Sequence, residues 1–142
     1  TTLVRLSTNG EHLDCRNNIL YTSQAGSSFA ILDELGTASL SFNWLKKGWK
    51  TAHSRRTGNV DSEAEIYSEN DPGFQNAEKN LFFLTPKSAC LNKSGSLPKT
   101  IQNNFPIKKQ FHGPRGTKIR PTDSLKDLGA LGRQSEKKKI SN

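Results

Sequence analysis

Apolar and polar residues alternate along much of the first 45 positions, in short runs broken by small or polar residues. Leu40, Phe42 and Trp44 alternate with Ser41 and Asn43, the period-two pattern of a half-buried strand. A helix would put Leu40 and Trp44 on one side and Phe42, Leu45 and Trp49 nearly opposite. A strand needs only one apolar face and explains the run better. Beyond Leu45 the alternation stops at Lys46, Lys47 and Gly48, and a basic, loop-like segment follows.

Residues 3–16 carry the clearest local signal. Asn9-Gly10 is a preferred pair for a two-residue hairpin turn of type I′. Folding about it sets Leu6 opposite Leu13 and Val4 opposite Cys15 on one apolar face, with Arg5 opposite Asp14 on the other. The spacing therefore predicts a hairpin, with His12 and Cys15 on opposite faces and so unsuited to share a metal. Asn17-Asn18 reads as a second turn and residues 19–24 as a short strand. Residues 29–35 (FAILDEL) fit either a short helix capped by Ser28 or a further strand. Together these elements predict a small β-rich unit over residues 1–56, a meander or partial barrel with room for one short helix.

Charge changes the picture after Arg56. Residues 61–84 hold Asp61, Glu63, Glu65, Glu69, Asp71 and Glu78 against Lys79 alone, and residues 57–84 read as an acidic linker. Thereafter the chain is strongly basic. All 6 prolines lie in the second half, at Pro72, Pro86, Pro98, Pro106, Pro114 and Pro121. Because proline removes a donor and clashes with the preceding turn, that spacing limits any helix to two or three turns. Residues 85–142 are expected to form a long, mostly irregular basic arm, with little regular structure from Pro72 onward when isolated. A short helix from Asp123 to Lys139 is weakened by Gly129 and Gly132.

Composition agrees with partial order. Apolar residues make up 32% of the 142, against about 45–50% for globular domains when glycine is counted. Mean hydropathy is −0.72, and a net charge of +8 favours acidic partners, whether protein, nucleic acid or an anionic membrane face. Cys15 and Cys90 give neither a disulfide framework nor zinc spacing, so a reducing, intracellular site (cytoplasmic or nuclear) is expected. No apolar run approaches the length of a spanning helix, and the first residues read neither as a signal peptide nor as a transit peptide. Methionine is absent, which implies a processed start or a fragment.

Candidate chemistry is sparse. His12, His53 and His112 are scattered, no partnered nucleophile stands out, and Gly113-Pro114-Arg115-Gly116 lacks the rest of a phosphate loop. No enzyme activity and no cofactor are expected. Isolated aromatic residues, Phe74, Phe82, Phe83, Phe105 and Phe111, suit an extended chain pressing anchors into pockets of a protein partner. A nucleic-acid reading rests on Trp49 among Lys46, Lys47, Lys50, Arg55 and Arg56, aided by Lys108 and Lys109, with the ring stacking on a base. Lys137 to Lys139 resemble a weak nuclear-localisation cluster, and Thr85-Pro86 a proline-directed phosphorylation site. The reading that results is a non-enzymatic structural or adaptor subunit of a larger assembly, on a cytoskeletal polymer for example. The alternative is an RNA- or DNA-binding component such as part of a ribonucleoprotein.

Overall fold

The short alternating runs become strands that stack on one another in parallel. A computed structural model describes residues 1–24, 29–53, 58–111, 116–122, 125–131 and 133. A first coil holds β1 (Thr2–Leu6), β2 (His12–Arg16) and β3 (Ile19–Leu20). A second holds β4 (Ala30–Glu34), β5 (Thr37–Ser41) and β6 (Asn43–Lys46), and a third holds β7 (Asn59–Ser62) and β8 (Ile66–Glu69). Each strand pairs in parallel with its counterpart one coil away: β1 with β4, β2 with β5 and β5 with β7, β3 with β6 and β6 with β8. Lys50 bridges Ala30 to complete the third side. The result is a three-sided parallel β-solenoid, in which each coil contacts only its neighbours.

Register turns sequence repeats into ladders. Leu13, Ala38 and Val60 are successive partners, as are Cys15, Leu40 and Ser62, and Leu20, Leu45 and Ser68. With Leu6, Phe29, Ile31 and Leu32 the apolar members of these ladders pack into one core. The middle coil is sealed on both sides, and Ile31, Leu32, Ala38, Leu40 and Leu45 are fully buried. In the third coil the ladders end in exposed Ser62 and Ser68.

The corners repeat as well. Asn17 and Phe42 both take a left-handed backbone, at φ 62° and 52°, between the second and third strands of their coils. The next residue, Asn43, is fully buried. It donates from Nδ2 to the Cys15 carbonyl at 2.7 Å and accepts from the Asn18 N–H at 2.9 Å, binding one corner to the one above it. Gly36 (φ 70°) turns the chain between β4 and β5, where a Cβ would meet the Glu11 carbonyl oxygen at 2.7 Å.

A second layer covers the outside of the β3–β6–β8 sheet. That face carries the ladder Ile19, Trp44, Tyr67. Trp44 packs there with Leu84, Cys90 and Leu128, flanked by Tyr21, Phe74 and Leu91. The covering chain supplies the antiparallel pair β9 (Phe74–Asn76) and β10 (Leu81–Leu84), then α1 (Lys99–Asn104), then the pair β11 (Lys109–Phe111) and β12 (Thr117–Ile119).

Several expectations change. The structure is mostly strand with almost no helix, and the β unit is a parallel solenoid rather than a meander or partial barrel. Residues 3–16 form no hairpin: Leu6 pairs with Glu34 and Leu13 with Ala38. The Asn9-Gly10 turn exists, with the Glu11 N–H donating to the Thr8 carbonyl at 3.3 Å, but neither residue has positive φ. The Glu11 carboxylate accepts from the Ser7 and Thr8 N–H groups at 2.5 and 2.7 Å, and the chain turns a corner instead of reversing. Arg5 pairs with Glu34, and Asp14 with Arg16. The run through Trp44 is two strands broken at Phe42, and residues 29–35 contain strand, not helix.

The stretch expected as an acidic linker holds four strands, two of them the third coil. Beyond it the proline spacing sets element length: α1 has 6 residues, starting after Pro98 and ending before Pro106. The expected helix from Asp123 to Lys139 falls mostly outside the described residues, and residues 125–130 lie in turns and bends.

Candidate ligand cleft

Where β3 leaves the solenoid, its continuation brings Tyr21 against the second layer. Tyr21 meets Phe74 edge-to-face with centroids 5.6 Å apart, and Phe74 meets Phe82 in the same manner at 5.3 Å. These rings, with Ile19, Leu20, Phe111 and the Gly129-Ala130-Leu131 turn, line a cleft of about 400 Å³. Its walls are mainly apolar. The Lys46 ammonium lies 5.8 Å from the Tyr21 ring centroid and donates to the Thr22 carbonyl at 2.7 Å, placing a cation beside the aromatic row.

A larger cleft of about 1,110 Å³ adjoins it, sharing Asn18, Phe111, Gly129 and Ala130. Here the lining is mixed: Phe42, Leu97, Ile107 and Leu125 lie among Arg16, Lys109, Arg120 and Lys126, with Asp127 as the one carboxylate among the described lining residues. Gln110 lines it and is 4% exposed, and its Oε1 has no hydrogen-bond partner among the described residues. The floor is held by Asn17 and Gly95, which exchange hydrogen bonds at 3.0 and 2.8 Å. The close approach needs glycine: a Cβ at Gly95 would lie 2.0 Å from the Phe42 ring. Asp127, fully buried, accepts from the Asn92 N–H at 3.0 Å and from Arg133 Nη2 at 2.8 Å. Arg120 donates to the Asp127 carbonyl at 3.1 Å. Burial lowers the Arg120 pKa, and the Asp127 charge opposes that fall.

The phenylalanines expected as separate anchors divide. Phe74, Phe82 and Phe111 come together as cleft walls, Phe83 lies 5.0 Å beneath the Lys118 ammonium, and Phe105 stands alone at 71% exposed. Trp49 is half-buried against the solenoid core, while Lys47 and Lys50 are exposed beside it. Neither cleft is lined by Trp49, Lys47, Lys50 or Lys108, whereas Lys109 lines the larger one. Arg55 and Arg56, His112, Arg115 and Lys137 to Lys139 lie outside the described residues. Thr85 sits in the turn after β10, its N–H bonded to the Gly73 carbonyl at 2.8 Å. Sequence reasoning missed Tyr21 and the 129–131 turn. The signal for Tyr21 was the recurrence of Asn18-Ile19-Leu20 as Asn43-Trp44-Leu45, which marks Ile19 and Trp44 as equivalent outward positions at the end of a strand.

Both thiols are buried. Burial, only partly offset by a hydrogen bond with Ser88, pushes the Cys90 thiol up to about 12, and burial likewise raises Cys15. Since the thiolate is the reactive form, neither cysteine should be alkylated by iodoacetamide at pH 8 in the folded protein. Both should react fully in denaturant. Rapid labelling of Cys90 under native conditions would mean that the second layer opens away from Trp44. No family model, curated protein or solved structure matches the chain.

Proposed function

We propose that this chain is a non-catalytic interaction module, an adaptor whose aromatic cleft holds an apolar side chain from an acidic protein segment. The observation that carries the reading is the convergence of Tyr21, Phe74, Phe82 and Phe111 on one cleft beside a second lined by Arg16, Lys109 and Lys126. Rings that meet edge-to-face form a rigid apolar socket, and a cationic flank selects an anionic partner and speeds its approach. The chain therefore acts as the receptor for an anchor, with its own phenylalanines as the walls.

The test is anisotropy with a fluorescein-labelled glutamate-rich peptide carrying one central leucine, set against its leucine-to-alanine counterpart. Phe82→Ala should weaken binding of the leucine peptide by about 10- to 100-fold, as expected for a wall of a buried anchor pocket. Phe105→Ala should leave it unchanged. Equal binding of both peptides, unaffected by Phe82→Ala, would defeat the socket. The nucleic-acid reading is tested in the same instrument with a single-stranded RNA. Tight binding to it that falls steeply with salt and with Trp49→Ala would replace the adaptor reading.

A further inference from the structure

Between Glu78 and Asp123 the chain carries no acidic residue, while Lys79, Lys87, Lys93, Lys99, Lys108, Lys109, Arg115, Lys118 and Arg120 all fall there. Among the described residues the large apolar side chains left exposed are, except for Leu125, confined to this same stretch. They are concentrated around α1 and the β11–β12 pair, where Ile101 is 44% exposed, Phe105 71%, Ile107 51%, Phe111 54% and Ile119 80%. No residue of α1 is buried. In the β11–β12 pair, Gln110 is buried and its partner Lys118 turns to the Phe83 ring. The opposite face then carries Lys109 opposite Ile119, and Phe111. Exposed apolar groups of this size, gathered in one segment among cations, mark a contact surface.

We infer that residues 99–111 and 116–119 form a peripheral docking surface for an anionic lipid bilayer. Two features favour lipid over a protein partner. Phe105 and Ile119 project from the surface instead of lining a concavity, and a fluid interface accepts projecting apolar groups without a matching shape. The cations are strung along the whole segment with no carboxylate among them, which complements a uniformly negative headgroup layer. Among the described residues no helix is long and apolar enough to cross a membrane, so the contact is with the interface. Phe111 also walls the apolar cleft, but Phe105 and Ile119 line neither cleft, so the contact they make does not depend on either being occupied.

The experiment is co-sedimentation of the full chain with large unilamellar vesicles of phosphatidylcholine, alone or with about 30 mol % phosphatidylserine. Binding should be at least about tenfold tighter to the anionic vesicles. The double variant Phe105→Ser, Ile119→Ser keeps every charge and alters only exposed positions, so its circular dichroism should match the parent. It should lose about tenfold or more in vesicle affinity and retain the acidic-peptide binding described above. Phe82→Ala should do the reverse. Three results would overturn the inference: no preference for anionic vesicles, unchanged binding by the double variant (adsorption by charge alone), or loss of peptide binding in that variant with vesicle binding intact, which would make the patch a protein contact.

Discussion

Replacing Trp44 with alanine should destabilise the protein by about 3–5 kcal/mol, the usual range for deleting a buried aromatic side chain. Trp44 is fully buried and belongs to the outer face of the β3–β6–β8 sheet, where it meets Leu84, Cys90 and Leu128. Its loss leaves a cavity between solenoid and second layer, where Trp44 is the one fully buried aromatic among the described residues and Tyr21, Tyr67 and Phe74 only flank it. Small domains hold only about 5–15 kcal/mol in total, so the effect would be a large fraction of stability. Urea denaturation should show a much lower midpoint. Trp44→Phe makes the contrast. The indole Nε1 has no hydrogen-bond partner among the described residues, so phenylalanine removes a buried donor while keeping most of the ring. That variant should lose less than half as much as alanine. Equal losses from both would place the ring outside the contact between layers.

The second large effect is expected at Asp127. Its carboxylate accepts from the Asn92 N–H, the Arg133 N–H, Arg133 Nε and Arg133 Nη2 within 3.2 Å. Burial by itself raises its pKa, but the bonds from Arg133 and Asn92 outweigh burial and hold it below the usual range. Asp127→Ala leaves those part-buried donors without their acceptor, and stranding such donors costs about 1–3 kcal/mol. A group depressed in the folded state contributes its stabilisation in full above its unfolded value, about 3.9, and loses it as pH falls through the folded value. The contact between residues 88–97 and 120–133 should therefore loosen below about pH 4 in the parent. In Asp127→Ala it should be weak at every pH. Amide exchange at Asn92 and Leu128 reads this directly. An unchanged acid profile in the variant would assign the acid transition to other carboxylates.

Local structure was legible in the sequence. Alternation located β1, β2, the end of β5 and most of β6, the prolines fixed how short any later helix had to be, and Asn9-Gly10 marked a real change of direction. The clustering of charge was equally plain. Strand pairing was not legible, because alternation says which face of a strand is buried and nothing about which strand lies beside it. Every residue but proline offers the same backbone donor and acceptor, so a hairpin and a corner between parallel strands satisfy residues 3–16 almost equally. The choice is made by contacts one coil away, such as Leu13 on Ala38 and Asn43 on the Cys15 carbonyl.

The candidate cleft depended still more on the tertiary structure. Phe74, Phe82 and Phe111 are scattered in the chain, and spacing alone suggests separate anchors. Tyr21, at the end of the first coil, and the turn after Asp127 complete the walls from opposite ends of the sequence. By itself the sequence determined what each short segment could do: extend, turn, or carry charge. Only the stacking of coils decided which segments met, since a solenoid buries its strands by long-range register and positions its outer face through the layer that covers it.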